Sequence, residues 1–561
     1  MTHSNPHPDS PDHLRPPRRG RTHEVANQAP PRAGIDEFTA NPALVEAVAA
    51  YAPAADTGKL RRIGERVGTA EYQHDAQLAN TCTPRHVAFD RWGHRVDEIE
   101  FHPAYHEIMG YSIAEGLHTS AWADPGPGAN VQRAAGFYLA GQIEPGHSCP
   151  VSMTHAIVPS LRHSPGLAAQ WEPKLLSTVY DPELRDPATK DGLIVGMAMT
   201  EKQGGSDVRA NTTTAEPATS FGEDVYALRG HKWFCSAPQS DAFLVLAQAP
   251  EGLSCFWLPR ILPGGERNAF LVQRLKDKLG NKSNASSEVE FDGALAWLVG
   301  EPGRGVRTII DMVGRTRLDC VIGAAAGMRQ SVAEAAWHAR HRAAFETTLI
   351  EKPAMRGVIA DLQIESEAAT WTALRLAQAH DNEGEAALRR IATAVSKYWV
   401  CKRGPGHAYE SLECLGGNGY TEDFPLARRY REAPVLAVWE GSGNVIALDV
   451  LRALARDPDS ARAFEAEIAA QRGTNPDFDA HTERTLALLA DAARDPMSAE
   501  AGARRLVESM ALSFQASVLL RDADPAVAQA FCTARLGAGR GFEYGAMVTD
   551  GIDHDTVIGR A

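Results

Sequence analysis

Residues 193–208 read Leu-Ile-Val-Gly-Met-Ala-Met-Thr-Glu-Lys-Gln-Gly-Gly-Ser-Asp-Val. An apolar run passes without a spacer into a polar turn that carries two adjacent glycines. Upstream of Gly192, apolar residues recur mostly at helical spacing. Downstream, short apolar runs follow at about a dozen-residue spacing, separated by turn residues. They are Val225–Leu228, Ala242–Ala247, Leu253–Leu258 and Glu288–Phe291. This pattern predicts an antiparallel β-domain over 192–300.

On the N-terminal side, residues 34–191 are expected to form a helical domain. Pro42–Ala54 is alanine-rich, Phe101–Ile113 repeats its apolar residues at helical spacing, and loops fall near 124–128 and 144–150. Residues 1–33 hold seven prolines and five arginines and almost no large apolar side chain. Such a segment cannot offset its ordering entropy by burial, so a disordered tail is expected. On the C-terminal side, Thr308–Ala344, Ala354–Asp381, Ala386–Leu415 and Pro434–Ala455 read as four long helices. An interruption is expected in the third at Gly404–Gly406. Together they predict a helical bundle over 301–455. Residues 456–561 read as an additional helical domain with 11 basic and 17 acidic residues, broken at Gly537–Gly541 before an unpatterned end. The fold class is α+β.

The chain has 561 residues, 57 basic and 71 acidic, a formal charge of −14 with 44% hydrophobic content. That composition excludes fibrous and wholly disordered proteins and argues against a globally basic nucleic-acid binder. No uninterrupted apolar run reaches the roughly 18 residues of a bilayer span, and the N-terminus lacks a secretory apolar core. No membrane association is expected. The eight cysteines form no C-x-x-C pair. Neither a metal site nor a dithiol motif is indicated, and a cytoplasmic protein with reduced thiols is expected.

Four short motifs carry chemistry. In Met199–Val208, the amides near Gly204 and Gly205 and the hydroxyls of Thr200 and Ser206 suit a phosphate or a polar ring edge; a plain surface turn is the alternative. In Gly230–Pro238, Trp233 and Phe234 either cover a planar cofactor whose edge Ser236 meets, or simply pack a β-core. In Val438–Asn444, Glu440 stands between Trp439 and Gly441. Desolvation there would suit a general base, whereas an ordinary glutamate faces solvent. In Leu415–Tyr420, Gly416 or Gly417 reads as a functional glycine loop or as a helix cap.

In this order the motifs resemble the acyl-CoA dehydrogenase flavoprotein family. TEKQGGSD (200–207), HKWFCS (231–236), LGGNGY (415–420), Tyr430-Arg-Glu and WEGSGN (439–444) carry the likeness. RLKDKLGNKSNAS (274–286), CKRG (401–404), THEVANQAPP (22–31) and the C-terminal extension resemble the AidB branch, the adaptive-response proteins linked to alkylation damage. The resemblance implies FAD as cofactor, α,β-dehydrogenation of a short or branched, isovaleryl-like acyl-CoA, and a homotetramer. By motif position it implies Glu440 as the base, and Thr316, in the second position that some members use, cannot serve. Arg317 either supports the site or pairs with an acid such as Asp311 or Asp319. FAD contacts are implied for Met199, Thr200, Gly205, Ser206, Val208, Ser236, Gly416, Gly417, Trp439, Gly441, Ser442 and Asn444. Arg342 is implied to reach a neighbouring subunit's FAD. Departures from the family pattern stand at Lys202, Gln203, Pro353 and Glu413. A competing function is a DNA-binding flavoprotein that protects double-stranded DNA or destroys alkylating agents. It would use a basic face of the C-terminal domain drawn from Arg452, Arg456, Arg504, Arg505 and Arg535. A third keeps FAD as a structural group in a scaffold.

Overall fold

The computed structural model describes residues 22–547 and 550–561. Most of the expected tail, 1–21, lies outside the described residues. The remainder, 22–33, is docked rather than loose. Asn27 exchanges two hydrogen bonds with the backbone of Ala343, at 2.7 and 2.8 Å. The Trp337 indole donates to Pro30 O at 2.8 Å, and Arg32 forms a buried ion pair with Glu37. Specific polar contacts order a segment whose apolar content could not.

The first helical layer comprises α1 (Pro42–Tyr51), α2 (Thr57–Val67), α3 (Ala70–Thr81), α4 (Pro103–Ala114) and α5 (Ser120–Ala123), followed by α6 (Ala129–Ile143), α7 (Ser148–Leu161) and α8 (Pro165–Leu175). Asn41, Asp56 and Thr69 cap the first three by accepting a first-turn amide. A hairpin not anticipated from the helical periodicity, β1 (Arg85–Phe89) with β2 (Arg95–Glu100), interrupts this layer. Its turn is shaped by Asp90, which accepts the amides of Trp92 and His94.

The β-domain holds β3 (Val195–Ala198), β4 (Thr214–Ser220), β5 (Glu223–Ser236), β6 (Ala242–Ala249), β7 (Gly252–Pro259), β8 (Phe270–Leu275) and β9 (Ser286–Val299). The sheet runs β3-β6-β4-β5-β9-β7, β8 joins β9, and β6 also pairs β7, so the path closes on itself. The sheet is mixed rather than wholly antiparallel, because β3 lies parallel to β6 with Val195 opposite Ala242. Strands β6 and β7 are buried on both faces. Phe243, Val245, Phe256 and Leu258 point into the domain's own core. Ala242, Leu244, Leu246, Cys255 and Trp257 point into a second core shared with α7, α8 and Met312. The period-2 alternation thus glues the sheet to the helices.

The helical half is built on α9 (Gly305–His341), with α10 (Pro353–Asp381), α11 (Ala386–Glu413), α12 (Pro425–Val438) and α13 (Gly443–Arg456). Helix α11 passes through Gly404–Gly406 without a break, although it contains Pro405. The stretch expected as one helix, 434–455, is instead two, interrupted at 439–442. Beyond them lie α14 (Pro458–Ala469), α15 (Pro476–Arg494), α16 (Pro496–Asp522), α17 (Pro525–Phe531) and α18 (His554–Gly559). Helix α18 stands where an unpatterned end was expected. It is held by Arg560, which pairs with Glu367 and Glu46. Phe464, Ile468 and Phe514 of these later helices share one continuous core with Trp371, Tyr138 and Leu44.

The first layer is locked to α9 by a buried ion pair. Arg133 meets Asp319 through both guanidinium nitrogens, donates its Nε to Leu117 O at 2.7 Å and lies over the Phe137 ring. Removing one member leaves an uncompensated buried charge. Asp319→Ala should therefore destabilise the protein by about 3–5 kcal/mol, seen as a lower denaturant midpoint; an unchanged midpoint would refute this role.

Candidate active site

Glu440 sits in the break between α12 and α13, with φ of +57°. This left-handed conformation is uncommon for a residue with a Cβ and costs on the order of 1 kcal/mol or more. Gly441 follows at φ +105°, where an added Cβ would meet the Ile446 side chain at 2.8 Å. The glycine is thus required by both conformation and space. Glu440 is half-buried, but its Oε2 is enclosed and has no hydrogen-bond partner. Burial raises the pKa of this carboxyl; Arg317, the Thr316 hydroxyl and Lys397 oppose the rise.

Three consecutive carbonyls of the break are met by cationic side chains. Lys397 Nζ donates to Trp439 O at 2.8 Å and to Gly441 O at 2.5 Å. Arg317 Nε donates to Glu440 O at 3.2 Å. The other end of Arg317 pairs with Asp449 at 2.7 Å, and Arg390 joins the same carboxylate at 3.0 Å. Against the effect of burial, these two arginines hold the Asp449 carboxyl below the usual range. The acids expected as alternatives for Arg317 are engaged elsewhere, Asp311 with His163 and Asp319 with Arg133.

The polar turn after β3 is anchored by a buried pair. Lys232 Nζ contacts Glu201 Oε1 at 2.9 Å, and Glu201 also accepts the amides of Thr212 and Thr213. Lys232 and those amides keep Glu201 ionised despite its burial. Glu201 therefore shapes the turn rather than reacting. Beyond it the turn is open. Gly205 and Ser206 are exposed, and among the described residues their amides find no intramolecular acceptor. A Cβ on Gly205 would meet Thr200 Oγ1 at 2.4 Å. Free amides beside a glycine and a hydroxyl fit an anionic or polar cofactor edge.

Ser236 ends β5 with its hydroxyl 3.4 Å from that of Ser286 and beside the Cys149 thiol. Phe234 is 52% exposed, and Lys276 Nζ stands 3.2 Å from the Trp233 ring centroid. The exposed Phe234 ring and the Ser236 hydroxyl near it fit the flavin that the motifs imply. Met199, Val208, Cys149 and Trp439 all pack against the one apolar cluster around Met153, Met197 and Met312. The turn after β3 and the helix break are thereby joined. Cys149 reports the same convergence. Burial pushes its thiol up to about 11, Lys278 and Ser236 oppose that rise, and Glu440 adds to it.

Ser442 is the exposed N-cap position of α13, and Asn444 accepts from Arg504 Nε of α16 at 2.7 Å. Arg342, Gly416 and Gly417 lie apart from Glu440 within one chain. Arg342 donates to Asn27 O, and the turn bearing Gly416 and Gly417 reaches the adjacent Gln28 through Asn418. Sequence reasoning missed Lys397, Lys278, Cys149 and the Arg504 contact. Lys397, Cys149 and Arg504 lie on helices distant in sequence that no local pattern marks, and Lys278 falls in the quoted stretch 274–286 with no role read for it.

Comparison with known proteins agrees with this geometry. The Adaptive response protein AidB N-terminal domain matches residues 27–182. The acyl-CoA dehydrogenase middle domain matches 196–294 and the C-terminal domain 303–455. The chain is 42% identical to AidB of Escherichia coli (strain K12) over 543 residues, covering 96% of this chain and 98% of that one. It is 31% identical to acyl-CoA dehydrogenase family member 11 of Caenorhabditis elegans over 425 residues, 72% of this chain and 68% of the other. The crystal structure of Caenorhabditis elegans ACDH-11 with C11-CoA superposes with a TM-score of 0.83 at 25% identity, covering 94% and 96% of the two chains. A turn fit for a flavin edge, an enclosed carboxyl in a helix break and these relatives converge: the chain belongs to the acyl-CoA dehydrogenase family of FAD-dependent oxidoreductases, on its AidB branch.

Proposed function

We propose that the protein dehydrogenates an acyl-CoA thioester between its α and β carbons, with Glu440 as the base. The observation that carries this reading is the enclosed, unpartnered Oε2 of Glu440 in a break whose carbonyls are held by Lys397 and Arg317. A carboxylate so placed takes the α-proton. Bound FAD supplies the acceptor for the β-hydride. The turn around Thr200, Gly205 and Ser206, with Ser236, would hold the cofactor. Enclosure excludes water, so the raised proton affinity of Glu440 assists abstraction.

Buried Cys320 and half-buried Cys149 are neighbours of Glu440. The family likeness leads us to propose a short or branched acyl chain, isovaleryl-CoA among them. Eight free cysteines, six of them buried, suit the reducing cytoplasm. A homotetramer accounts for the second cluster. Arg342 and the 416–420 turn lie beside Phe345 and Tyr420, which are 92% and 86% exposed. A second copy of the chain would cover them and receive Arg342 at its FAD.

A second reading, binding of double-stranded DNA, rests on exposed Arg452 and Arg456 of α13 and exposed Arg504 and Arg505 of α16. Arg535 does not belong to such a face, because it is buried in pairs with Asp361 and Glu365.

Glu440→Gln should retain FAD and lose reduction of the flavin by isovaleryl-CoA, by roughly 10²–10⁴-fold, in an anaerobic titration. In the unaltered protein the same rate should rise with pH through a midpoint above the ordinary glutamate value of about 4.3. Undiminished reduction in the variant would sink the base assignment. Sedimentation should give four chains per particle; a monomer would remove the role of Arg342. If four arginines neutralise phosphates, affinity for a short duplex should fall roughly 10²-fold between about 50 and 200 mM salt. Salt-insensitive or absent binding would end the DNA reading.

A further inference from the structure

Lys397 lies midway along α11 and is 1% exposed. Burying an ammonium is costly unless its donors find acceptors. Two of its three donors go to Trp439 O and Gly441 O, on either side of Glu440. Among the described residues no carboxylate lies within ion-pair distance of it, and no acceptor takes the third donor. Arg317, the other cation at the break, shares its charge with Asp449. Lys397 is therefore the cation at the break whose charge no carboxylate balances.

The geometry points to Lys397 as the positioning residue of the base: one buried ammonium grips the carbonyls flanking Glu440, fixes its left-handed turn and sets a positive charge beside that turn. Charge-assisted bonds of this kind are roughly twice as strong as neutral ones, enough to outweigh the strain at Glu440. The ammonium also lies where the last carbonyls of α12 gather their negative dipole.

The groups facing the Glu440 carboxyl are few. Helix α9 presents Arg317, Thr316 and Cys320, α11 presents Lys397, and α7 presents Cys149. Asp449 of α13 stands behind Arg317. Removing the Lys397 charge favours the protonated carboxyl, so the base form appears only at higher pH. This inference rests on Glu440 being the base for its kinetic consequence, but the effect on the carboxyl itself does not.

Two substitutions separate grip from charge. Lys397→Gln keeps two donors for the two carbonyls and loses the charge; Lys397→Met loses both. With isovaleryl-CoA and the FAD-loaded protein, Lys397→Gln should reduce its flavin about tenfold more slowly at neutral pH and recover at higher pH. Lys397→Met should be slower still and fail to recover. Both should retain FAD, since Lys397 does not touch the turn at Thr200–Ser206. Infrared difference spectra give a readout independent of turnover. The carboxyl band that Glu440→Gln abolishes should titrate at higher pH in Lys397→Gln than in the unaltered protein. If Glu440→Gln still reduces flavin, the base reading falls while this band still tests Lys397. A band with an unshifted midpoint, or a pH profile in Lys397→Gln matching the unaltered protein, overturns the inference. Lys397→Gln alone decides it should Lys397→Met not fold.

Discussion

The break at 439–442 leaves the carbonyls of half-buried residues without helical partners, and enclosed backbone groups must be satisfied. Trp439, Glu440 and Gly441 can no longer pass their carbonyls along a helical ladder. Lys397 from α11 and Arg317 from α9 take them instead. That requirement dictates where α9 and α11 run past α12 and α13. It also explains why the site holds two cations and one unpartnered carboxyl oxygen. The cations answer the backbone, and the carboxyl is left free to answer a substrate.

The β-domain is held to this frame by strands with two apolar faces. Had β6 carried polar residues at Ala242, Leu244 and Leu246, the sheet would stand apart from the helices and face water. Because both faces are apolar, Met199 just after β3 and Trp439 beside Glu440 enter one cluster. The turn that fits a flavin edge and the carboxyl that fits a base are then brought together by burial of ordinary aliphatic surface. A single ion pair, Arg133 with Asp319, adds direction to that packing by fixing the first helical layer along α9.

The features legible in the sequence are those whose chemistry is local. The glycine pair at 204–205, the serine closing β5 and the glutamate before Gly441 each carry their meaning within a few residues. The break in 434–455 was written there as well, since Gly441, Ser442 and Gly443 are all poor helix formers. It was obscured because apolar residues keep helical spacing on both sides of it. Lys397 was illegible for a different reason. A lysine within a helix is normally solvated, and only the path of a distant break makes this one buried. The docked segment 22–33 escaped notice because composition reports on burial and not on the two hydrogen bonds of Asn27. The partner of Arg317 was misjudged because the nearest acids in sequence, Asp311 and Asp319, face other helices.

Charge counting also misplaces the appended helices. With 17 acidic against 11 basic residues they read as an acidic module set apart from the site. In the fold they share the bundle's core, and Arg504 of α16 bonds Asn444, four residues beyond Glu440. A Cβ on the intervening Gly443 would meet Lys402 and Arg504 at 3.0 and 3.4 Å, so the first turn of α13 is wedged against both cations. The net charge of the domain is therefore a poor guide to what its individual arginines do. Arg504 donates its Nε to Asn444 Oδ1, which leaves its terminal nitrogens and the Asn444 NH2 as further donors at the same place. One guanidinium thus couples the outer face of the appended helices to the motif that carries Glu440.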